Sequence, residues 1–108
     1  MRLATCTSNC AGGTGSWTLN DVASPSGSGF FPSLQYDAGG LAHITFVDPG
    51  ATTLRYAIAN QQAATSFQTF DIDHGVDDGH SSFILTPLGS THVSYSLTTG
   101  LKYYPFGD

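Results

Sequence analysis

Charge is what this chain has least of. Three basic residues (Arg2, Arg55 and Lys102) stand against eight Asp, Glu is missing altogether, and charged residues make up only 10% of the 108. A net charge of −5 and so few cations argue against a groove for nucleic acid. No apolar run approaches the roughly 18–20 residues a transmembrane helix needs. The opening Met1-Arg2-Leu3-Ala4-Thr5-Cys6 has no apolar core of the signal-peptide kind. Strong helix formers are few, whereas Gly, Ser, Thr and β-branched or aromatic residues are plentiful, so strands and turns are expected. By length this is one small domain.

What is present is a repeat. Met1-Arg2-Leu3-Ala4 recurs as Leu54-Arg55-Tyr56-Ala57 and again as Leu101-Lys102-Tyr103-Tyr104. Ser16-Trp17 recurs as Ser66-Phe67, Asp21-Val22 as Asp71-Ile72, and Ser33-Leu34 as Ser82-Phe83. Ala42-His43-Ile44-Thr45-Phe46 recurs as Thr91-His92-Val93-Ser94-Tyr95. The offsets drift from 53 to 47 along the chain, as loops of unequal length allow. Strand-like runs fall at 1–6, 16–23, 31–38, 41–48, 54–60, 67–73, 81–87, 90–97 and 101–106. Asp37-Ala38-Gly39-Gly40 and Asp48-Pro49-Gly50 mark turns, and Ser24–Gly29 and His74–His80 read as connectors. Four strands within a period near 50 residues is the signature of a propeller blade. The inner runs are apolar at successive positions, which suits a sheet covered on both faces. An ordinary β-sandwich is the alternative.

Ser33-Leu34-x-x-Asp37, His43-Ile44-x-Phe46-x-Asp48, Leu54-Arg55-Tyr56-Ala57, Cys6-x-x-x-Cys10 and Trp17-x-x-x-Asp21-Val22 resemble the repeats of large exported bacterial β-propeller proteins. The resemblance spans nearly the whole chain. It implies an all-β fold of four-stranded antiparallel blades, about two per chain, and an extracellular or cell-surface setting. It carries no catalytic signature. The second copy departs from the pattern, with Thr86 for Asp37, Leu97 for Asp48 and Phe67 for Trp17, so these positions read as packing or turn positions.

In blade terms the strands run third and fourth (1–23), first to fourth (31–73), then first to third (81–106). Two blades cannot cover all their faces, since repeat arrays need at least about three units. Open strand edges invite pairing with another chain. The expected outcome is a homo-oligomeric ring of roughly three to five chains. In it the last three strands of one copy are completed by residues 16–23 of the next, with 1–6 and 101–106 competing for the third place. Met1 falls inside a repeat position, so the chain reads either as a segment of a longer exported parent or as a natural short product.

Candidate chemical residues are few. Cys6 and Cys10 are expected to form a local disulfide in an oxidising compartment; no neighbouring His or Cys completes a metal set. His43 and His92 share one repeat position and read as structural histidines or as inner-strand ligand-binding residues. Trp17, Tyr56, Tyr103 and Tyr104 fill space between blades if buried, or stack on sugar rings if exposed. Phe30, Phe31 and Phe106 read as core or interface residues. The segment from Asp71 to His80 places Asp71, Asp73 and Asp77 at alternate positions, in the manner of a Ca²⁺ loop but without its later Glu. It reads as a solvated connector or a cation site, with His74 and His80 giving it pH sensitivity. The functional expectation is a non-enzymatic scaffold or binding module for glycan or protein, with no cofactor. The alternatives are a fragment of a larger propeller and, with only two arginines and no Ser-x-Asp-x-Gly-x-Thr-Trp motif, a sialidase-like hydrolase.

Overall fold

The structure is a computed structural model. It describes residues 1–8, 10–11, 17–22, 29–48, 50, 52–76, 81–87, 89–97 and 100–106, the last of these by backbone alone. Ser16, most of the 24–29 connector, Asp77, Asp78 and His80 therefore lie outside the described residues, as does the side chain of Phe106.

Among the described residues nine strands are present: β1 (Arg2–Cys6), β2 (Trp17–Asp21), β3 (Phe30–Tyr36), β4 (Ala42–Asp48), β5 (Thr53–Ala59), β6 (Phe67–His74), β7 (Ser81–Leu85), β8 (Thr91–Leu97) and β9 (Gly100–Phe106). Each begins and ends within two residues of the run expected from composition and turn signals. There is no helix among the described residues. The strands form three antiparallel sheets, each in chain order: an N-terminal pair β1-β2, a central β3-β4-β5-β6 and a C-terminal β7-β8-β9.

The central sheet is covered on both faces. Register sets Ile44 opposite Ala57 and Tyr56 opposite Thr45, so alternate residues of β4 and β5 point to opposite sides. One side carries Ala42, Ile44, Phe46, Ala57 and Ala59, which bury with Leu3 of β1 and Val22 just after β2. The other carries Val47, Leu54 and Tyr56, which bury with Phe83, Val93 and Tyr95 of the C-terminal sheet. All seven residues of β4 are buried as a result. This accounts for the lack of a solvated face in that run, where apolar residues fall on both sides and His43, Thr45 and Asp48 are buried with partners: a strand with neighbours on both faces has no side left for solvent.

Geometry requires glycine at three places on these sheets: Gly29, Gly40 and Gly89. A Cβ on Gly29 would lie 2.7 Å from Phe46 Cδ2 and 2.9 Å from the Met1 sulfur, so the chain enters β3 pressed against the first core. Gly40 has φ +83° and closes the β3–β4 turn; Gly89, its repeat partner, has φ +89° in the β7–β8 turn. Between Phe30 and Ser33 the register slips by one residue, with Phe31 at φ 53°. This bulge leaves both Phe30 and Phe31 exposed, T-shaped against each other with ring centroids 6.2 Å apart.

Candidate functional site

The turns and strands around His43 and His92 are built alike. In the β3–β4 turn the Asp37 N–H donates to the Leu41 carbonyl, the Gly40 N–H donates to the Asp37 carbonyl, and the Leu41 N–H donates to Asp37 Oδ1. The second carboxylate oxygen, Oδ2, takes His43 Nε2 at 2.8 Å. His43 Nδ1 meets the Tyr56 hydroxyl at 2.6 Å, and that hydroxyl reaches Thr91 Oγ1 of the C-terminal sheet at 2.7 Å. An ionised carboxylate only accepts, so Asp37 places a proton on Nε2; in the neutral ring Nδ1 then accepts from the tyrosine. The chain of contacts ties a turn, an inner strand, the third strand and the next sheet into one unit.

The C-terminal sheet repeats the arrangement with weaker parts. The Thr86 N–H donates to the Ser90 carbonyl, the Gly89 N–H to the Thr86 carbonyl, and the Ser90 N–H to Thr86 Oγ1. His92 Nε2 lies 3.4 Å from Ser90 Oγ, and its Nδ1 bonds the Tyr103 hydroxyl. At both sites Nδ1 meets a tyrosine hydroxyl, while Nε2 faces a carboxylate at His43 and a serine hydroxyl at His92. The surroundings differ. Tyr56 is fully buried and His43 nearly so, whereas Tyr103 is exposed and His92 half-buried. His92 and Tyr103 stack with centroids 5.7 Å apart, beside a shallow hollow of about 200 Å³ bordered by Ser82, Ile84 and Ser94.

Electrostatics follow burial. The His43 contact and the Leu41 N–H hold the Asp37 carboxyl below the usual carboxylate range. Burial pushes the Tyr56 hydroxyl up; the Thr91 hydrogen bond works against this and the Asp37 charge adds to it. A phenol so enclosed stays protonated and serves as a hydrogen-bond relay, without the open side a nucleophile needs.

The acidic candidates have partners within the fold. Asp71 Oδ1 lies 3.1 Å from Arg55 Nε, and Arg55 Nη1 lies 3.1 Å from the buried Asp48. Asp73 Oδ2 accepts from the Tyr95 hydroxyl at 2.8 Å and from Lys102 Nζ at 3.2 Å. Burial works to raise the Asp73 carboxyl, but the Tyr95, Lys102 and His74 N–H bonds bring it below its ordinary value. Burial, then Asp73, pushes Tyr95 up to about 12. Among the described residues no group of three His, Cys, Asp or Glu converges in a way that could hold a metal ion.

Of the residues singled out from sequence, the structure brings His43 to Tyr56 and His92 to Tyr103, in two separate places. Trp17 stands exposed on β2, opposite Cys6, on a different sheet from the His92–Tyr103 hollow. Cys6 and Cys10 are joined as a disulfide. Sequence reading passed over Asp37 and Thr91 as histidine and tyrosine partners. The available signal was the six-residue spacing Asp37–His43, matched by Thr86–His92. Comparison with family models, with curated proteins and with solved structures gives no match for this chain.

Proposed function

We propose that this chain is a non-enzymatic, self-assembling β-propeller scaffold, two blades per chain, closed into a ring of roughly three to five copies. One observation carries the reading. Leu3, Tyr56 and Tyr103 occupy the same repeat position, and the first two are buried against the next sheet along the chain while the third faces outward. The stacking mode is therefore used twice within the chain and presented a third time on its surface. In the ring, β7–β9 of one copy join residues 16–23 of the next, and either 1–6 or 101–106 takes the third strand place. A non-enzymatic role fits the buried His43–Tyr56 pair, whose relay from the partly exposed Asp37 ends on Thr91 inside the fold. Exposed aromatic faces at Trp17 and Tyr103 suit a glycan or protein ligand on the assembled surface.

Light scattering after size exclusion tests this directly. A discrete mass of three to five chains is expected, and its value counts the blades. A folded monomer would overturn the proposal.

A further inference from the structure

The interface between the central and C-terminal sheets is a template for a second one. In it Gln35 of β3 bonds the backbone of β7 twice, donating to the Phe83 carbonyl and accepting from the Leu85 N–H at 3.2 Å. Thr45 of β4 meets Ser81 at 3.0 Å. Under this cover Phe83 is 2% exposed. The repeat shifts these positions by 49 residues. Leu34 stands where Phe83 stands, one sheet earlier, yet it is 44% exposed. The N-terminal sheet contributes only β1 and β2, the counterparts of β5 and β6. Nothing among the described residues takes the place over Leu34 that β3 and β4 take over Phe83. A hollow of about 190 Å³ lies there instead, between β1 and Pro32, Leu34 and Ile44.

The missing cover exists at the other end of the molecule. Ile84, His92 and Ser94 on the outer face of β7 and β8 are the repeat counterparts of Gln35, His43 and Thr45. Ile84 is 59% exposed. The chemistry has changed on both sides of the joint together. Gln35 becomes Ile84 on the covering side, and Ser81 has Pro32 as its counterpart on the receiving side. Where the internal interface uses a side-chain amide on backbone, the external surfaces offer an aliphatic side chain to a mainly apolar hollow that Arg2 also borders.

Resting on the assembly proposed above, we infer that Ile84, His92 and Ser94 of one copy seat on Pro32, Leu34 and Ile44 of the next. The contact is heterologous, joining different surfaces of two identical chains, so it propagates around a ring. It also assigns the exposed hollow beside His92 to a second copy of this chain.

The test compares wild type, Ile84→Lys, Leu34→Asp and the double variant by light scattering, with melting followed by circular dichroism. Both side chains are substantially exposed in the single chain, so each single variant should keep its melting transition and fall to monomer mass. The double variant, which sets Lys against Asp across the joint, should recover the assembled mass. As a measurement on the unmodified chain, amide exchange above and below the association concentration should show added protection at 32–36 and 82–94. An assembled wild type whose single variants remain assembled, or whose exchange at those segments ignores concentration, overturns this seating and leaves the propeller assembly standing. A monomeric wild type overturns both.

Discussion

His43 and His92 each set Nδ1 against a tyrosine hydroxyl, and differ in the partner of Nε2 and in what lies over them. The difference should be measurable. Removing the Tyr56 hydroxyl leaves His43 Nδ1 and Thr91 Oγ1 without that partner in a buried place, so Tyr56→Phe should cost about 1–3 kcal/mol by urea denaturation. Tyr103→Phe, at an exposed site, should cost under about 0.5 kcal/mol. Titration gives a second expectation. Asp37 and Asp73 have folded-state carboxyls below the ordinary 3.8. They bind fewer protons folded than unfolded, so their contribution is present above that value and is lost as pH falls through the folded values. Tyr95, raised to about 12, has the opposite sign: its contribution is present below the ordinary 10.0 and is lost as pH rises toward 12. Stability measured against pH should therefore fall on an acid limb that Asp37→Asn flattens. It should fall on an alkaline limb that Tyr95→Phe makes shallower, the raised Tyr56 supplying the remainder.

At the scale of the strand, β5 shows how a charge is carried inside the stack. Arg55 sits between buried Asp48 and exposed Asp71, and its enclosed Nε finds no well-aligned hydrogen-bond acceptor. The contact to Asp71 is an ion pair near the surface and weak on that account. The contact to Asp48 matters more, because Asp48 is buried, where it also accepts from the Gly50 N–H. Arg55→Ala should thus destabilise by about 2 kcal/mol, while Asp71→Asn should cost less than about 1 kcal/mol; thermal melts of the two side by side distinguish these. The N-terminal sheet uses the same pairing, Arg2 with Asp21 at 3.1 Å, in the open. Lys102, third in the series, lies on a sheet without a fourth strand among the described residues and turns to Asp73 of the central sheet. This cross-sheet contact helps bind β9, whose residues 100–105 are all exposed, to the rest of the fold.

For the whole molecule, stability comes from two cores on either side of one sheet. The Cys6–Cys10 bridge encloses too short a loop to add much, so reduction should lower stability by no more than about 2 kcal/mol. EDTA should leave the melting midpoint unchanged, since Asp71 and Asp73 already have cationic partners in Arg55 and Lys102. Several features were legible in the amino-acid order. The strands, the β3–β4 turn and the burial of β4 on both faces follow from periodicity, Gly placement and apolar residues on both sides of the inner runs. These are local signals, and a strand's pleat and a turn's φ are decided locally. The partners of His43 were not legible. Asp37 reaches it across a turn, Tyr56 across a strand pair and Thr91 across a sheet interface, and only the folded register brings the three together. Nor could sequence distinguish Leu34 from Phe83, two apolar residues at one repeat position. The amino-acid order determined that both belong to a covered face. Tertiary structure alone decided that Phe83 has its cover within the chain and Leu34 does not, because burial is a property of the neighbouring sheet and not of the residue.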